Sequence, residues 1–268
     1  MTNKADRELV EFLSEIDTET IDTLIRMLDT FWQTDIDSLK NELSSTGAPE
    51  AETTARIKLA NKLVHIIRYF GSHNMMYGLR MVFTEEPGVH YSEICRDVCK
   101  NLNKQLKKKI DIPRVASVSE YENMICEIML RIQFEGKTEE EIAQMLEDAG
   151  LDEDAIKQTA KQLAKFAGAG AGLLSLVKIL GKKIVTEIIG KIIIMIVAKK
   201  LGEEAAKKLA ARILAKIAQK TIAKIISGIG WVLLIWDVVD LAGPAKRITI
   251  PCVSLIASVR TVRRLEKN

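Results

Sequence analysis

Four cysteines, at positions 95, 99, 126 and 252, and three histidines, at 65, 73 and 90, are the side chains best suited to metal or nucleophilic chemistry. Cys95 and Cys99 stand four apart, so a helix would bring both thiols to one face, with His90 or Cys126 needed to complete a metal site. A free cysteine in a chain of this kind is more often a small buried apolar group, and no metal is expected. His65 falls inside an apolar run, where a core or boundary role is expected. The glycines of "GAGAG", 168 to 172, follow helical sequence rather than a strand and lack both the G-x-G-x-x-G spacing and a Walker lysine. They read as a hinge or a place of close helix approach. Neither G-x-S-x-G nor H-E-x-x-H occurs, so no catalytic residue, cofactor or enzymatic activity is expected.

The second group with chemical potential lies in "GWVLLIWDVVDLAGPAKRITIPC", 230 to 252. Asp237 and Asp240 are one helical turn apart behind Trp231 and Trp236, and an unpaired buried carboxylate costs several kcal/mol. Lys246 and Arg247, just past the Gly243-Pro244 break, are the expected partners. Beyond the break, "RITI" looks β-like, and Pro251 suits the first position of a final helix.

These groups must be positioned by helices. The chain is 47% apolar, with only five prolines and 5% aromatics, a composition that favours an all-α, multi-helix bundle. Charge divides it. From Lys161 onward there are 20 Lys and Arg against 6 Asp and Glu, a net +14, which leaves a net −11 before that point. We therefore expect an acidic helical domain at 1–160 and a basic, apolar helical domain at 161–268, either attracted to one another or facing an anionic partner. The first residues show no signal-peptide pattern, and four cysteines in a chain this long fit a reducing compartment, so a cytoplasmic location is expected.

Periodicity supplies the elements. Leu9, Val10, Phe12, Leu13 and Ile16 share a helical face, and Ile21, Leu24, Ile25 and Leu28 follow after Asp17, predicting two short helices or one bent one. Ile57, Leu63, Val64, Ile67 and Phe70 predict a helix stopped by Gly71 in left-handed geometry. A helix is predicted from Tyr91 to Lys109, its last turn rich in lysine. Ser117 with Glu120 and Thr138 with Glu141 are capping boxes. Asp152 starts a further helix. Leu173 to Ala198 is strongly apolar, but Lys178, Lys182, Lys183, Glu187 and Lys191 fall on several sides of it. The uncharged run Ile225 to Trp236 is 12 residues long, short of the roughly 20 that a spanning helix needs. Between these runs Lys208, Arg212, Lys216, Lys220 and Lys224 recur every fourth residue, opposite Leu209, Ile213, Leu214, Ile217 and Ile225. That is the pattern of an interfacial helix or of a wet surface helix. Arg260, Arg263, Arg264 and Lys267 make the last helix basic, yet stacking aromatics are scarce, so nucleic acid is disfavoured as a partner.

Three segments carry a resemblance. "GPAKRITIPCVSLIASVR" is similar to the C-terminal signature of the YaaW family of bacterial proteins, "DRELVEFLSEIDTETIDTLIRML" looks like their opening helical module, and "FGSHNMMYGLR" with "YSEICRDVCKNLNKQLKKK" resembles their Phe-Gly-Gly segment and its Lys-rich follower. Lys246 stands where an aromatic is usual, and Ser72 where a second glycine is common. The resemblance implies no reaction and no catalytic residues; a loose ubiquinol-cytochrome c chaperone-like label on some members implies an assembly role near a membrane.

The resulting expectation is a non-enzymatic helical protein, a stress or defence effector, that conditionally binds or inserts into an anionic phospholipid membrane at the inner membrane's cytoplasmic side. Membrane contact would fall to Lys207, Lys208, Arg212, Lys216, Lys220, Lys224, Trp231 and Trp236, with the runs Ile192 to Val197 and Ile225 to Trp236 supplying insertion energy. The alternative is a soluble chaperone-like or scaffold protein that binds a protein partner and keeps its apolar helices buried. Either version is compatible with a homo-oligomer.

Overall fold

A computed structural model describes residues 3–28, 37–38, 40–41, 49–71, 89–148, 153–168, 172–213 and 244–267. Among them are eleven helices and no strand: α1 (Lys4–Glu15), α2 (Thr18–Met27), α3 (Pro49–Gly71), α4 (Tyr91–Asn103), α5 (Val118–Phe134), α6 (Glu139–Asp148), α7 (Glu153–Gly168), α8 (Leu173–Leu180), α9 (Lys182–Leu201), α10 (Glu203–Ile213) and α11 (Pro244–Lys267). The protein is all-α, the class that its composition favours.

The helix starts follow local chemistry. Asp17 caps α2 by accepting the Thr20 N–H at 2.9 Å, which separates it from α1. Ser117 and Glu120 form a reciprocal capping box on α5. Thr138 and Glu141 do the same before α6, at 3.2 and 2.8 Å. Two glycines cut the apolar run after residue 172: Gly181 at φ 82° and Gly202 at φ 92° occupy backbone geometry that side-chain-bearing residues avoid, and so divide α8, α9 and α10.

The core is built around α5, α9 and α11. From Ile188 to Val197 every residue of α9 is buried, and it packs on α10, α11 and α8. The C-terminal helix α11 packs on α5, α9, α3, α4 and α2, so helices from both sides of residue 160 contribute to one apolar core. No helix among the described residues is long and apolar enough to cross a membrane.

Four expectations are corrected. Gly71 is still helical and not left-handed; its missing Cβ makes room for Ile94 of α4, whose Cδ1 would lie 2.5 Å from a Cβ there and would have to shift. Ile57 is 44% exposed and His65 is exposed, so the buried face of α3 is carried by Leu59, Ala60, Leu63, Val64, Ile66 and Ile67. The helix predicted to Lys109 ends at Asn103, because the Asn103 amide closes a loop onto Ile110 (Ile110 N to Oδ1 3.0 Å, Nδ2 to Ile110 O 2.9 Å). The Lys107 and Lys108 N–H groups meanwhile donate to the Glu135 carboxylate at 2.7 and 3.1 Å.

The fourth concerns "RITI" and Pro251. Residues 247–250 are helical, Pro244 takes the first helical position, and Pro251 is buried inside α11. Proline there has no N–H for the Arg247 carbonyl four residues back. Lys200 Nζ, from the end of α9, reaches that carbonyl at 3.5 Å. Burial of Ile250, Cys252, Val253, Leu255, Ile256 and Ala257 against neighbouring helices overrides the β preference of Ile and Thr.

Candidate functional site

Three elements converge on a cavity of about 290 Å³: the C-terminal end of α3 (Phe70, Gly71), the last two turns of α4 with Lys104, and the first two turns of α11 (Lys246, Thr249, Ile250). They are the three segments quoted for the Phe-Gly, Lys-rich and Gly-Pro motifs. Gly71 lets α3 approach Ile94 closely, and Ile94, Val98 and Ile250, all buried, give the cavity an apolar side. The other side is cationic. Lys104 Nζ and Lys246 Nζ each donate to Asn101 Oδ1 at 3.3 Å, while Asn101 Nδ2 is anchored on the Asp97 carbonyl at 2.7 Å. Lys100 Nζ lies 4.0 Å from Asp97. One neutral amide oxygen thus holds two like charges side by side.

Toward the opposite ends of α4 and α11 lies a buried polar network. Glu122 of α5, fully buried, receives Arg260 at 2.9 Å and Arg264 at 2.7 Å, both from α11, and the Tyr91 hydroxyl at 3.3 Å. Burial pushes its carboxyl above the ordinary range, and Arg260 and Arg264 pull it back. Asp6 of α1, also fully buried, accepts the Tyr91 N–H at 2.9 Å, with His90 Nδ1 at 2.9 Å and Arg68 at 3.6 Å. His90 is the N-cap of α4 but makes no capping bond of its own, so Asp6 caps that helix from 85 residues away. Glu127 repeats the device. It accepts the first N–H of α8, at Leu173, where the cap position is the bare Gly172, and Arg131 holds it at 2.8 Å beneath the Phe166 ring. These carboxylates anchor helix ends and arginines; their geometry is that of structural groups.

The thiols are buried as well. Burial raises Cys95 well above the ordinary thiol value, Cys126 to about 11, and Cys99 and Cys252 to about 12, which disfavours the thiolate that metal binding and nucleophilic attack both need. Among the described residues no group of three or more His, Cys, Asp or Glu side chains could hold a metal ion.

Of the residues expected to meet a membrane, Lys207 and Lys208 are exposed on α10, while Leu209, Ala205, Ala206 and Ala210 on the opposite side are buried. Arg212 belongs to α10. Lys216, Lys220, Lys224, Trp231 and Trp236 lie outside the described residues, as do Asp237 and Asp240 and with them the proposed pairing. Lys246 meets Asn101, and Arg247 is exposed with its carbonyl on Lys200. Two of the arginines weighed for nucleic acid are engaged by Glu122, and Arg260 and Arg263 also lie 5.2 and 5.5 Å over the Phe12 ring. Sequence reasoning missed Asp6, Asn101 and Glu122. For Glu122 a signal existed, a carboxylate four residues before Cys126 and seven before Met129 on an otherwise apolar stripe.

The fold and cavity define a helical bundle with a lysine-sided pocket between its third, fourth and last helices. The chain is 28% identical over 271 residues to a UPF0174 protein of Helicobacter pylori (strain J99 / ATCC 700824), an alignment that covers 97% of this chain and 93% of that protein. That description carries no activity, and it supports likeness to a bacterial protein family without supporting the YaaW label in particular. No protein-family model and no solved structure matches the chain.

Proposed function

We propose that this is a non-enzymatic helical protein that associates with anionic membrane surfaces through its basic C-terminal half, with α9 remaining inside the fold. One observation carries the reading: α8 and the exposed first turn of α9 mix aliphatic and cationic groups. Leu174 is 62% exposed and Ile179 52%, and Lys178, Lys182 and Lys183 beside them are exposed. Leu174 and Lys178 are four apart and share a helix face. This is the composition of an interfacial contact, with Lys207 and Lys208 as further cations on α10. Each lysine near an anionic surface contributes about 1 kcal/mol, and the two aliphatics add roughly as much as the three lysines, giving a dissociation constant on the order of tens of micromolar. A site on the cytoplasmic side of the inner membrane agrees with this chemistry.

A second reading has its own support. The run Ile192 to Val197, expected to supply insertion energy, is buried in the core, and so is the Leu209 side of α10. A scaffold or chaperone-like protein that keeps these faces covered and binds a protein partner accords with that packing and with the label attached to the YaaW resemblance.

Flotation of the full chain with phosphatidylglycerol or phosphatidylcholine vesicles at low and high salt separates the two. Binding to the anionic vesicles that fades with salt and is lost in Lys178→Glu/Lys182→Glu/Lys183→Glu is expected. Flotation unchanged by that triple reversal, or none at all, would overturn the membrane reading and favour the scaffold.

A further inference from the structure

We propose that the cavity between α3, α4 and α11 is a binding site for a phosphate monoester, with Lys104 and Lys246 as its principal ligands. The site stands on its own residues, whether or not the chain meets a membrane. Lys104 and Lys246 converge on one neutral oxygen, Asn101 Oδ1, at 3.3 Å each. Two ammonium groups repel one another, each has three donors, and an amide oxygen neutralises neither. An anion with several oxygens placed between them removes the repulsion and takes up the remaining donors.

Charge and size then select the class of ligand. Lys100 and Asp97 offset one another at 4.0 Å, which leaves the two converging lysines. The C-terminal ends of α3 and α4 each add about half a negative charge and the N-terminal end of α11 about half a positive one, so the cavity carries roughly +1.5. A phosphate monoester at neutral pH carries about −1.5 to −2. A simple carboxylate would leave about half a positive charge unmatched and would offer two oxygens where a phosphate monoester offers three to the converging ammonium donors. The volume of about 290 Å³ lies at the small end of ligand sites and suits a phosphorylated fragment of glycerol or sugar size. The apolar side formed by Ile94, Val98 and Ile250 takes the carbon skeleton while the phosphate faces the lysines.

The shared chemistry, a phosphate monoester, occurs in soluble metabolites and in phosphatidic acid headgroups, and the test has an arm for each. The ¹⁵N–¹H spectrum of the full-length protein is followed during titration with glycerol 3-phosphate at constant ionic strength set by chloride. Saturable shifts are expected at the amides of Gly71, Asn101 and Lys246. Lys104→Gln/Lys246→Gln should weaken binding at least tenfold, Lys246→Arg should keep it within a few fold, and Lys207→Gln/Lys208→Gln should leave it unchanged. Shifts that never saturate, or an affinity the Lys104→Gln/Lys246→Gln variant retains while its spectrum stays folded, would overturn the site. Should that variant lose its native spectrum, Lys100→Gln decides: it opens Asp97 to the ligand's charge and must weaken binding severalfold, and unchanged affinity refutes the site. In the second arm, flotation with phosphatidic acid vesicles that falls with Lys104→Gln/Lys246→Gln assigns the phosphate to lipid. Flotation that persists, or is absent already in the wild type, assigns it to a soluble ligand. The Lys178, Lys182 and Lys183 reversals test the surface contact independently of both.

Discussion

Glu122 offers the sharpest test of what ties the last helix to the rest of the molecule. In Glu122→Gln the side-chain oxygen still accepts from one guanidinium, but the new NH₂ faces the other, donor against donor. Arg260 has 13% of its side chain exposed and Arg264 32%, against none for Glu122, so Arg264 can turn toward water whereas Arg260 largely cannot. Removing one partner of a buried charge cluster costs about 3–5 kcal/mol, and the partial exposure of Arg264 places this case near 3. At about 2 °C per kcal/mol for a chain of this size, the melting temperature should fall by about 6 °C, read by circular dichroism. The triple change Glu122→Leu/Arg260→Met/Arg264→Met removes every charge with little loss of volume and should recover most of that drop. If Glu122→Gln melts within 1 °C of wild type, or the triple variant is less stable than the single one, the cluster does not hold α11 as argued.

Gly71→Ala puts a methyl 2.5 Å from Ile94 Cδ1 inside a packed contact; overpacking of about 1–3 kcal/mol exceeds the ~1 kcal/mol helix gain of alanine, so net destabilisation of about 1 kcal/mol should appear in urea unfolding. Asp6→Asn keeps an acceptor for the Tyr91 N–H but loses the charge facing Arg68 and α4's N-terminus, and a cost of about 1–3 kcal/mol should appear in the same assay. Lys191 is 1% exposed, and burial lowers its ammonium from 10.5 to about 8, so between these values this side chain holds its proton better in the unfolded chain and its contribution to stability rises with pH. Relative to Lys191→Met, wild type should gain about 1 kcal/mol from pH 7 to 9, and Lys191→Met should be the more stable at pH 7 by about 3 kcal/mol. In both proteins the four raised thiols act in the opposite sense from about pH 8 upward, because the folded chain holds their protons, and overall stability falls as pH climbs past 9 toward about 12.

What the sequence revealed was local. The Ser117 and Thr138 capping boxes and the break at Asp17 depend on residues within four positions of one another, and each formed as read. Gly71 and Pro251 failed for one shared reason. Glycine after an apolar series ordinarily ends a helix, and proline ordinarily begins one, but at both places tertiary packing decides: Ile94 comes too close to Gly71 for a side chain, and Lys200 takes the carbonyl that Pro251 leaves open. The site escaped notice in the same way. Lys104 read as part of a helix-end lysine cluster and Lys246 as a partner for Asp237 and Asp240, and only the fold brings Lys246 to the Asn101 oxygen that Lys104 also meets.

The long-range polar contacts share a direction. Asp6 caps α4 from 85 positions away, Glu122 holds α11 from 138 and 142 positions away, and Lys246 reaches Asn101 across 145. Each joins an acidic or amide group before residue 160 to a backbone or cation that local sequence leaves without a cap or counter-charge. Apolar burial alone fixes how deeply a helix sits but is tolerant of sliding along its axis, whereas a bond of about 3 Å to a buried carboxylate is not. Pro251 and the Glu122 clamp therefore set both the axial position and the rotation of α11, and with them the distance of Lys246 from Lys104. On that argument, a variant that loosens the clamp far from the cavity, such as Arg264→Met, should weaken phosphate binding severalfold while all three pocket lysines remain. Unaltered affinity in a stably folded Arg264→Met protein would mean that the first turns of α11 are held by local packing alone.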